Sequence, residues 1–157
     1  MKNKITLLLF SLGVSLLTGV LGSFFTQNSV SSWFLNLNKP FFNPPSYLFA
    51  PVWTSLFILI GISLYLIITA KADKKIKQKA YILFAIQCLL NIGWSYCFFY
   101  LRNPLLGFIE IIILLASIIL ITFYFYRINK IAGYLFIPYI LWVSFATILN
   151  FSIWFLN

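Results

Sequence analysis

The charged side chains of this sequence leave five long apolar stretches between them, and no other feature constrains its fold as strongly. Of 13 charges (11 Lys or Arg and 2 Asp or Glu), only Glu110 falls inside these stretches, which cover residues 5–25, 47–69, 80–101, 105–126 and 132–156. Each reaches the roughly 20 residues that a helix needs to span a bilayer. Backbone polar groups in lipid must bond within the protein, and the stretches are too long for barrel strands. The sequence therefore predicts an all-α membrane protein, a bundle of five transmembrane helices forming a single domain over residues 1–157.

The composition excludes a soluble globular domain. Hydrophobic residues make up 62% and charged residues 8% of the chain, whereas soluble domains carry about 25% charged residues. The first stretch follows Lys2 and Lys4 and could alternatively be a cleaved signal peptide, which would leave four helices. Because its apolar run exceeds that of a usual signal peptide, and the chain after it returns to the membrane so that no cleavage site precedes a soluble domain, we expect it to be retained.

The distribution of basic residues predicts the orientation, because Lys and Arg accumulate in short cytoplasmic loops. With five helices, nine basic residues share one side, and only Lys39 and Arg102 lie on the other. The nine are Lys2, Lys4, Lys71, Lys74, Lys75, Lys77, Lys79, Arg127 and Lys130. We therefore expect a cytoplasmic N-terminus and an external C-terminus. The basic run 71–79 could also contact anionic lipid; nucleic acid is not an expected partner.

Several kinds of chemistry lack the residues they need. The chain has no His, and Cys88 and Cys97 lie in one predicted helix, about 13 Å of rise apart. A metal, haem iron or other cofactor is therefore not expected, and neither is charge-relay catalysis. An intramembrane carboxyl such as Glu110 is a candidate for ligand or proton handling. We expect it instead to pair with Arg102, which follows the preceding predicted helix.

The first external loop, residues 26–46, is long for a compact membrane protein and is predicted to be a lid. Its apolar side chains would not be left in water, so the loop should fold back over the bundle: Trp33, Phe34, Leu35, Leu37, Phe41 and Phe42. Ser32 could cap a short helix that ends at Asn38, before Lys39 and Pro40. The alternative is an interfacial aromatic belt that only anchors the loop in the lipid headgroups.

Polar side chains inside the other stretches indicate either helix contacts or a pocket. Gln87, Asn91, Trp94 and Phe98 recur on one helix face, where the amides need partners. Trp53 and Phe57 share a face beyond Pro51, and Pro138 precedes Trp142 by about one turn; both prolines could bend their helices. Together, bends, indoles and amides can form an apolar pocket with a few oriented donors.

The first predicted helix carries small residues at every fourth position: Ser11, Ser15, Gly19 and Ser23. Small residues let helix backbones approach closely. The pattern predicts a close-packing face, either within one chain or between subunits.

Three clusters of residues resemble the TspO/MBR family, which includes bacterial tryptophan-rich sensory proteins and the mitochondrial translocator protein, also called the peripheral benzodiazepine receptor. The first cluster comprises Trp33, Leu37, Lys39-Pro40, Phe42, Pro44-Pro45, Phe49 and Pro51-Val52-Trp53-Thr54. The second comprises Gln87, Leu90-Asn91 and Trp94, and the third Pro138-Tyr139, Trp142, Phe145-Ala146 and Leu149-Asn150. The resemblance covers nearly the whole chain.

The resemblance implies a five-helix homodimer that binds porphyrins such as protoporphyrin IX, and isoquinoline or benzodiazepine ligands, in a pocket under the first loop. Trp53 and Asn91 would donate hydrogen bonds to the ligand, and Trp142 and Ala146 would form the opposite wall. The remaining residues that the resemblance assigns to the pocket are Trp33 and Pro45 from the lid, with Phe57, Gln87, Trp94 and Tyr139.

One departure from the family pattern bears on sterol recognition and on the membrane in which this protein is expected. The sterol motif of mitochondrial members is not matched, because Phe151 and Phe155 fill that region and no basic residue follows. A bacterial plasma membrane therefore suits this chain better than a mitochondrial one. We expect a receptor or transporter-like protein for porphyrin-like ligands. Two alternatives are a light-dependent porphyrin-degrading enzyme that uses Trp53 and Trp142, and a membrane stress adaptor that needs no ligand.

Overall fold

A computed structural model describes residues 2–157 as helices joined by short connections, with no strand among the described residues. The helices are α1 (Lys2–Val30), α2 (Phe49–Thr69), α3 (Lys74–Ser95), α4 (Pro104–Ile128), α5 (Lys130–Tyr134) and α6 (Ile137–Leu156). Helix α3 continues into a π-helical turn, Tyr96–Tyr100, and two 3₁₀ turns, Phe34–Asn36 and Ser46–Leu48, lie between α1 and α2.

Five segments of the described chain are long and apolar enough to cross a membrane. They are Asn3–Val30, Ser46–Thr69, Lys74–Tyr100, Pro104–Ile128 and Lys130–Leu156, the last of which contains both α5 and α6. This confirms the predicted five-helix membrane fold.

Three helices begin at polar caps that occupy the connections between spans. Asp73 accepts a hydrogen bond from the Lys75 backbone N–H at the start of α3, at 2.9 Å. Asn103 caps α4 in the same way, and Asn129 caps α5. The first N–H groups of a helix have no partner within it, so these side chains satisfy donors at the helix ends.

Neither proline interrupts a helix, contrary to the predicted bends. Pro51 is the third residue of α2 and Pro138 the second residue of α6. The N–H groups of a first helical turn have no partner inside the helix, so a proline there removes no hydrogen bond. The helix of the fifth predicted span is instead interrupted before Pro138, at Leu135 and Phe136, which separate α5 from α6.

The bundle has an apolar core that also contains polar side chains, and large apolar side chains cover its outside. Ser15 and Ser63 are fully buried and donate to the backbone carbonyls of Phe57 and Ala132, at 2.6 and 2.7 Å. Large apolar side chains such as Leu9 are exposed on the outer surface. An apolar exterior is stable in hydrocarbon, whereas polar groups must find partners within the protein.

The small-residue face of α1 packs within the chain. Ser11 and Ser15 are buried, and a Cβ added to Gly19 would lie 2.7 Å from the Phe57 ring of α2. Ser23 is exposed; the face continues instead through buried Gly22, which approaches Ser95 of α3.

The connection between α1 and α2 is shorter than predicted, because α1 continues to Val30. Ser32 caps no helix: its hydroxyl donates to the Asn28 carbonyl, and the following 3₁₀ turn has no side-chain cap. The Lys39 ammonium donates to the carbonyls of Leu35 and Leu37 and lies 4.9 Å from the centre of the Phe34 ring. These contacts fold the segment onto itself, and we refer to residues 31–45 as the lid.

Candidate functional site

A small aromatic cavity lies where the lid meets α2, α3 and α6. Its volume is about 30 Å³. The residues that line it are Phe34, Phe49, Trp53, Trp94, Phe98, Phe99, Trp142, Ala146, Leu149, Asn150 and Ile153. Four of them, Trp53, Trp94, Trp142 and Ala146, are among the residues that the sequence predicts for the pocket.

Aromatic rings occupy most of the space around this cavity. The rings of Trp53 and Trp94 lie 6.2 Å apart, and Trp94 stacks on Phe98 at 5.7 Å. On the other side, Phe49 meets Trp142 edge to face at 6.0 Å. Pockets for drug-sized ligands typically measure about 300–1,000 Å³. These rings would therefore have to move apart to admit an organic ligand.

The indole nitrogen of Trp142 is buried and has no hydrogen-bond partner among the described residues. A buried donor without a partner costs about 1–3 kcal/mol. The neighbouring rings of Phe49 and Phe145 offer it no strong acceptor. Trp142, a residue of the cavity wall, thus carries a buried donor that an acceptor on a ligand could satisfy once the surrounding rings move apart.

A polar cluster joins α3 to α6 beside the cavity. The Asn91 amide donates to the Tyr139 hydroxyl at 2.8 Å, and that hydroxyl donates to Gln87 Oε1 at 3.2 Å. Tyr139 is fully buried and meets the Trp53 ring edge to face at 6.2 Å. The two amides predicted on one face of α3 therefore connect helices, and their cluster adjoins the Trp53 wall.

Asn150 connects three elements around the cavity. Its Oδ1 accepts from the Trp94 indole N–H at 3.0 Å, and its Nδ2 donates to the Pro104 carbonyl at 2.8 Å. The side chain therefore fixes α6 against both α3 and the start of α4. Because its polar atoms are paired, Asn150 holds the Trp94 ring in place rather than leaving it free to rotate.

Comparison with known proteins identifies the family. The model of the TspO/MBR family matches residues 11–155. The chain belongs to the TspO/MBR family. It is 42% identical to the tryptophan-rich protein TspO of Chlorobaculum tepidum over 157 residues, covering 100% of this chain and 99% of that relative.

Further relatives extend from archaea to animals. A tryptophan-rich protein TspO of Archaeoglobus fulgidus is 45% identical over 139 residues, 88% of this chain and 89% of the relative. The human translocator protein is 30% identical over 136 residues, 85% of this chain and 79% of the relative.

The remaining residues that the TspO/MBR resemblance assigns to the pocket lie around the cavity rather than in its wall. Trp33 of the lid meets Phe98 at 5.6 Å, and Phe57 stacks under Trp53 at 5.7 Å. Pro45 is exposed, and its carbonyl accepts from the Leu48 N–H at 3.0 Å. Asn91, Gln87 and Tyr139 form the adjoining polar cluster.

Sequence reasoning missed part of the cavity wall. Along α6, Trp142, Ala146, Leu149, Asn150 and Ile153 follow a spacing of three or four residues, so extending the predicted face by two turns would have found the last three. Phe98 lies on the face that was predicted with Gln87, Asn91 and Trp94, but its neighbour Phe99 is buried as well. Both lie in the π-helical turn, where the Leu101 N–H reaches the Tyr96 carbonyl, and no sequence signal predicts that turn.

The TspO/MBR lid is held closed by the end of α6. The Asn38 backbone N–H donates to Asn157 Oδ1 at 2.9 Å, and Asn157 Nδ2 donates to the Asn38 carbonyl at 2.9 Å. The Asn38 side chain adds a bond to the Leu156 carbonyl at 3.3 Å. Further along the lid, Phe42 meets Phe145 at 6.3 Å. We call the three Asn38 hydrogen bonds the latch.

Replacing Asn157 by Ala is expected to loosen the lid. The change removes two latch hydrogen bonds, each worth about 0.5–1.5 kcal/mol, so amide exchange in lid peptides should accelerate about tenfold. Hydrogen–deuterium exchange by mass spectrometry measures this. Asn36→Ala is the matched control, because the Asn36 amide bonds only to Ser32 within the same segment. Equal exchange rates in the wild type and Asn157→Ala would contradict the latch.

The expected pair between Glu110 and Arg102 is not formed. Both carboxylate oxygens of Glu110 are buried without a hydrogen-bond partner among the described residues. A Cβ added to Gly93 of α3 would lie 3.2 Å from Glu110 Oε1. Arg102 lies outside α4 with a φ of 52°, before the Asn103 cap, and is exposed. Proximity in sequence does not bring the two together, because Glu110 faces α3.

Proposed function

We propose that this TspO/MBR protein is a membrane receptor or transporter-like protein that binds porphyrins, such as protoporphyrin IX, and isoquinoline or benzodiazepine-type ligands in the aromatic cavity. The unpartnered indole N–H of Trp142 in the cavity wall is the observation that carries this proposal. An apolar ligand with one carbonyl or carboxylate would satisfy that donor and stack on the surrounding rings.

The proposed roles of the other residues follow from their positions. Trp53, in the cavity wall, and Asn91, in the adjoining polar cluster, would donate to the ligand, and Trp142 would face it from the opposite wall. An amide group has two N–H donors, and one from Asn91 bonds to Tyr139, which leaves the other for a ligand acceptor. Ala146, a small residue in the wall, leaves room beside Trp142.

Binding a planar macrocycle in this cavity would require two movements. The lid must release its latch at Asn157, and the rings of Trp53, Trp94 and Trp142 must separate. The hydrogen bond from Trp94 to Asn150 resists the second movement on one side. The Trp142 indole makes no hydrogen bond, so its rotation would break none.

The membrane setting and assembly belong to the same proposal. The five spans would form one domain in a bacterial plasma membrane, with the N-terminus in the cytoplasm and the lid and C-terminus outside, as the excess of nine basic residues against two favours. We propose a homodimer, in keeping with the family resemblance.

A second candidate function is light-dependent porphyrin breakdown. The observation that favours it is that Trp53 and Trp142 both line the cavity. The porphyrin would absorb the light and dioxygen would be the oxidant. Illumination of the porphyrin complex in air tests it: loss of porphyrin absorbance with multiple turnovers, abolished in Trp53→Phe and Trp142→Phe, would favour an enzyme.

Titration of the detergent-purified protein with protoporphyrin IX tests the binding proposal. Tryptophan quenching should saturate, and Asn91→Ala should weaken binding by about 1–3 kcal/mol through a lost hydrogen bond. Gln78→Ala removes an exposed amide from the same helix and is the control. Linear, non-saturating quenching would contradict the proposal and favour the ligand-independent adaptor.

A further inference from the structure

A second cavity, of about 400 Å³, opens at the lid end of the bundle. Three segments line it: the lid, the turn from α3 to α4, and the end of α6. The lining residues are Trp33, Leu37, Arg102, Asn103, Pro104, Leu105, Trp154 and Asn157. We call this cavity the groove. It combines a cation, amides and apolar surface, whereas the aromatic cavity is almost entirely apolar.

Arg102 is the charged residue of the groove, and the protein does not use its charge. It is exposed and forms no hydrogen bond or ion pair among the described residues. Lys39, the other basic residue at this end, is already bonded to two carbonyls of the lid. The guanidinium of Arg102 is therefore free to bind an anion, which it can do with two parallel hydrogen bonds.

The backbone at Arg102 is also unusual. Its φ of 52° makes it the one residue other than glycine with a positive φ among residues 2–157. A side chain with a Cβ is disfavoured there, whereas glycine is not. The turn would thus form more easily with glycine, and arginine at this position provides a cation to the groove.

The remaining lining suits an amphiphile. Asn103 and Pro104 begin α4, whose positive helix end adds to the charge of Arg102. Trp154 and Leu105 lie on spanning helices and are 38% and 41% exposed, so part of the apolar lining of the groove lies at the surface of the bundle. Indoles such as those of Trp33 and Trp154 favour the depth of lipid headgroups.

We propose that the groove binds one anionic phospholipid, with its phosphate at Arg102 and the start of its acyl chains against Leu105 and Trp154. The exposed apolar side chains of the lining, on spanning helices, favour a lipid over a soluble anion. Because Trp33, Leu37 and Asn157 belong to the lid or its latch, the bound lipid would contact the closed lid directly. This proposal does not depend on what the aromatic cavity binds.

Native mass spectrometry of the detergent-purified protein with added phosphatidylglycerol or phosphatidylcholine tests the proposal. The first phosphatidylglycerol should bind about tenfold more tightly than phosphatidylcholine, because both carry a phosphate but the choline cation of phosphatidylcholine would be repelled by Arg102 and offsets the negative charge. Arg102→Gln should abolish that preference. Arg127→Gln is the matched control, because Arg127 is an exposed arginine at the opposite end of α4. Equal binding of the two lipids, or equal losses in both variants, would overturn the proposal.

The Arg102→Gly variant tests whether Arg102 acts in lipid binding or only in the structure of the turn. Glycine is unstrained at this φ, so the thermal midpoint should be unchanged or higher while the phosphatidylglycerol preference is lost. Retention of the preference in Arg102→Gly would overturn the proposal. Displacement of phosphatidylglycerol by an equal concentration of glycerol phosphate would also overturn it, in favour of a soluble phosphate ligand.

Discussion

Replacing Trp142 by Phe is expected to weaken porphyrin binding about 10- to 100-fold without lowering the thermal stability of the protein. The indole N–H has no partner in the protein, so its removal breaks no hydrogen bond and relieves a buried unsatisfied donor. A ligand carboxylate would lose a charge-assisted hydrogen bond worth about 1.5–3 kcal/mol. Affinity is measured by porphyrin titration and stability by the thermal midpoint.

Trp94→Phe is the matched control for this prediction. Trp94 lines the same cavity, but its indole N–H donates to Asn150. The substitution leaves the buried Asn150 oxygen without its donor, so the thermal midpoint should fall. If Trp142→Phe lowered the midpoint as much as Trp94→Phe and left affinity unchanged, Trp142 would be a packing residue and not a ligand donor.

Replacing Gly61 by Val is expected to cause a large loss of folding stability. A Cβ at this position would lie 2.9 Å from Leu12 Cα and 3.1 Å from the Ser11 carbonyl oxygen, and backbone atoms cannot move aside as a flexible side chain can. The clash would push α1 away from α2 and break the bond from Ser15 to Phe57. Overpacking of this kind costs about 3 kcal/mol, which lowers a thermal midpoint by about 6–12 °C in a chain of this size.

Gly13→Val is the control, because it makes the same change at an exposed position of α1, outside the interface with α2. A Cβ at Gly13 would meet nothing within 4 Å, and valine has a higher helix propensity than glycine. Its thermal midpoint should equal or exceed that of the wild type. A similar midpoint in the Gly61 and Gly13 variants would contradict the close contact between α1 and α2.

The spans were predictable because the hydrophobic length of a segment and the charges that flank it are local properties. The caps at Asp73, Asn103 and Asn129 are local as well, since each accepts from a backbone two or three residues away. The pairing of Glu110 with Arg102 was wrong because it depends on how α4 rotates against α3. Ser32 failed as a cap because α1 continues far enough for its hydroxyl to bond to Asn28.

Only part of the candidate site was predictable from the sequence. A helical face with Gln87 and Asn91 is visible in the sequence, but their partner Tyr139 lies 52 and 48 residues away and only the fold brings it near. The small size of the cavity was not predictable either. It depends on how the rings of Trp53, Trp94 and Phe98 stack, which residue spacing does not determine.

The central claim is that one cavity binds both porphyrins and isoquinoline-type ligands, and competition between the two tests it most directly. Purified protein loaded with protoporphyrin IX is titrated with an isoquinoline carboxamide while the recovery of tryptophan fluorescence is followed, with Trp142→Phe measured in parallel. The account predicts complete, saturable displacement and weaker binding of porphyrin by the variant. Failure of the carboxamide to displace porphyrin at saturating concentration, with equal porphyrin affinity in the variant, would contradict it.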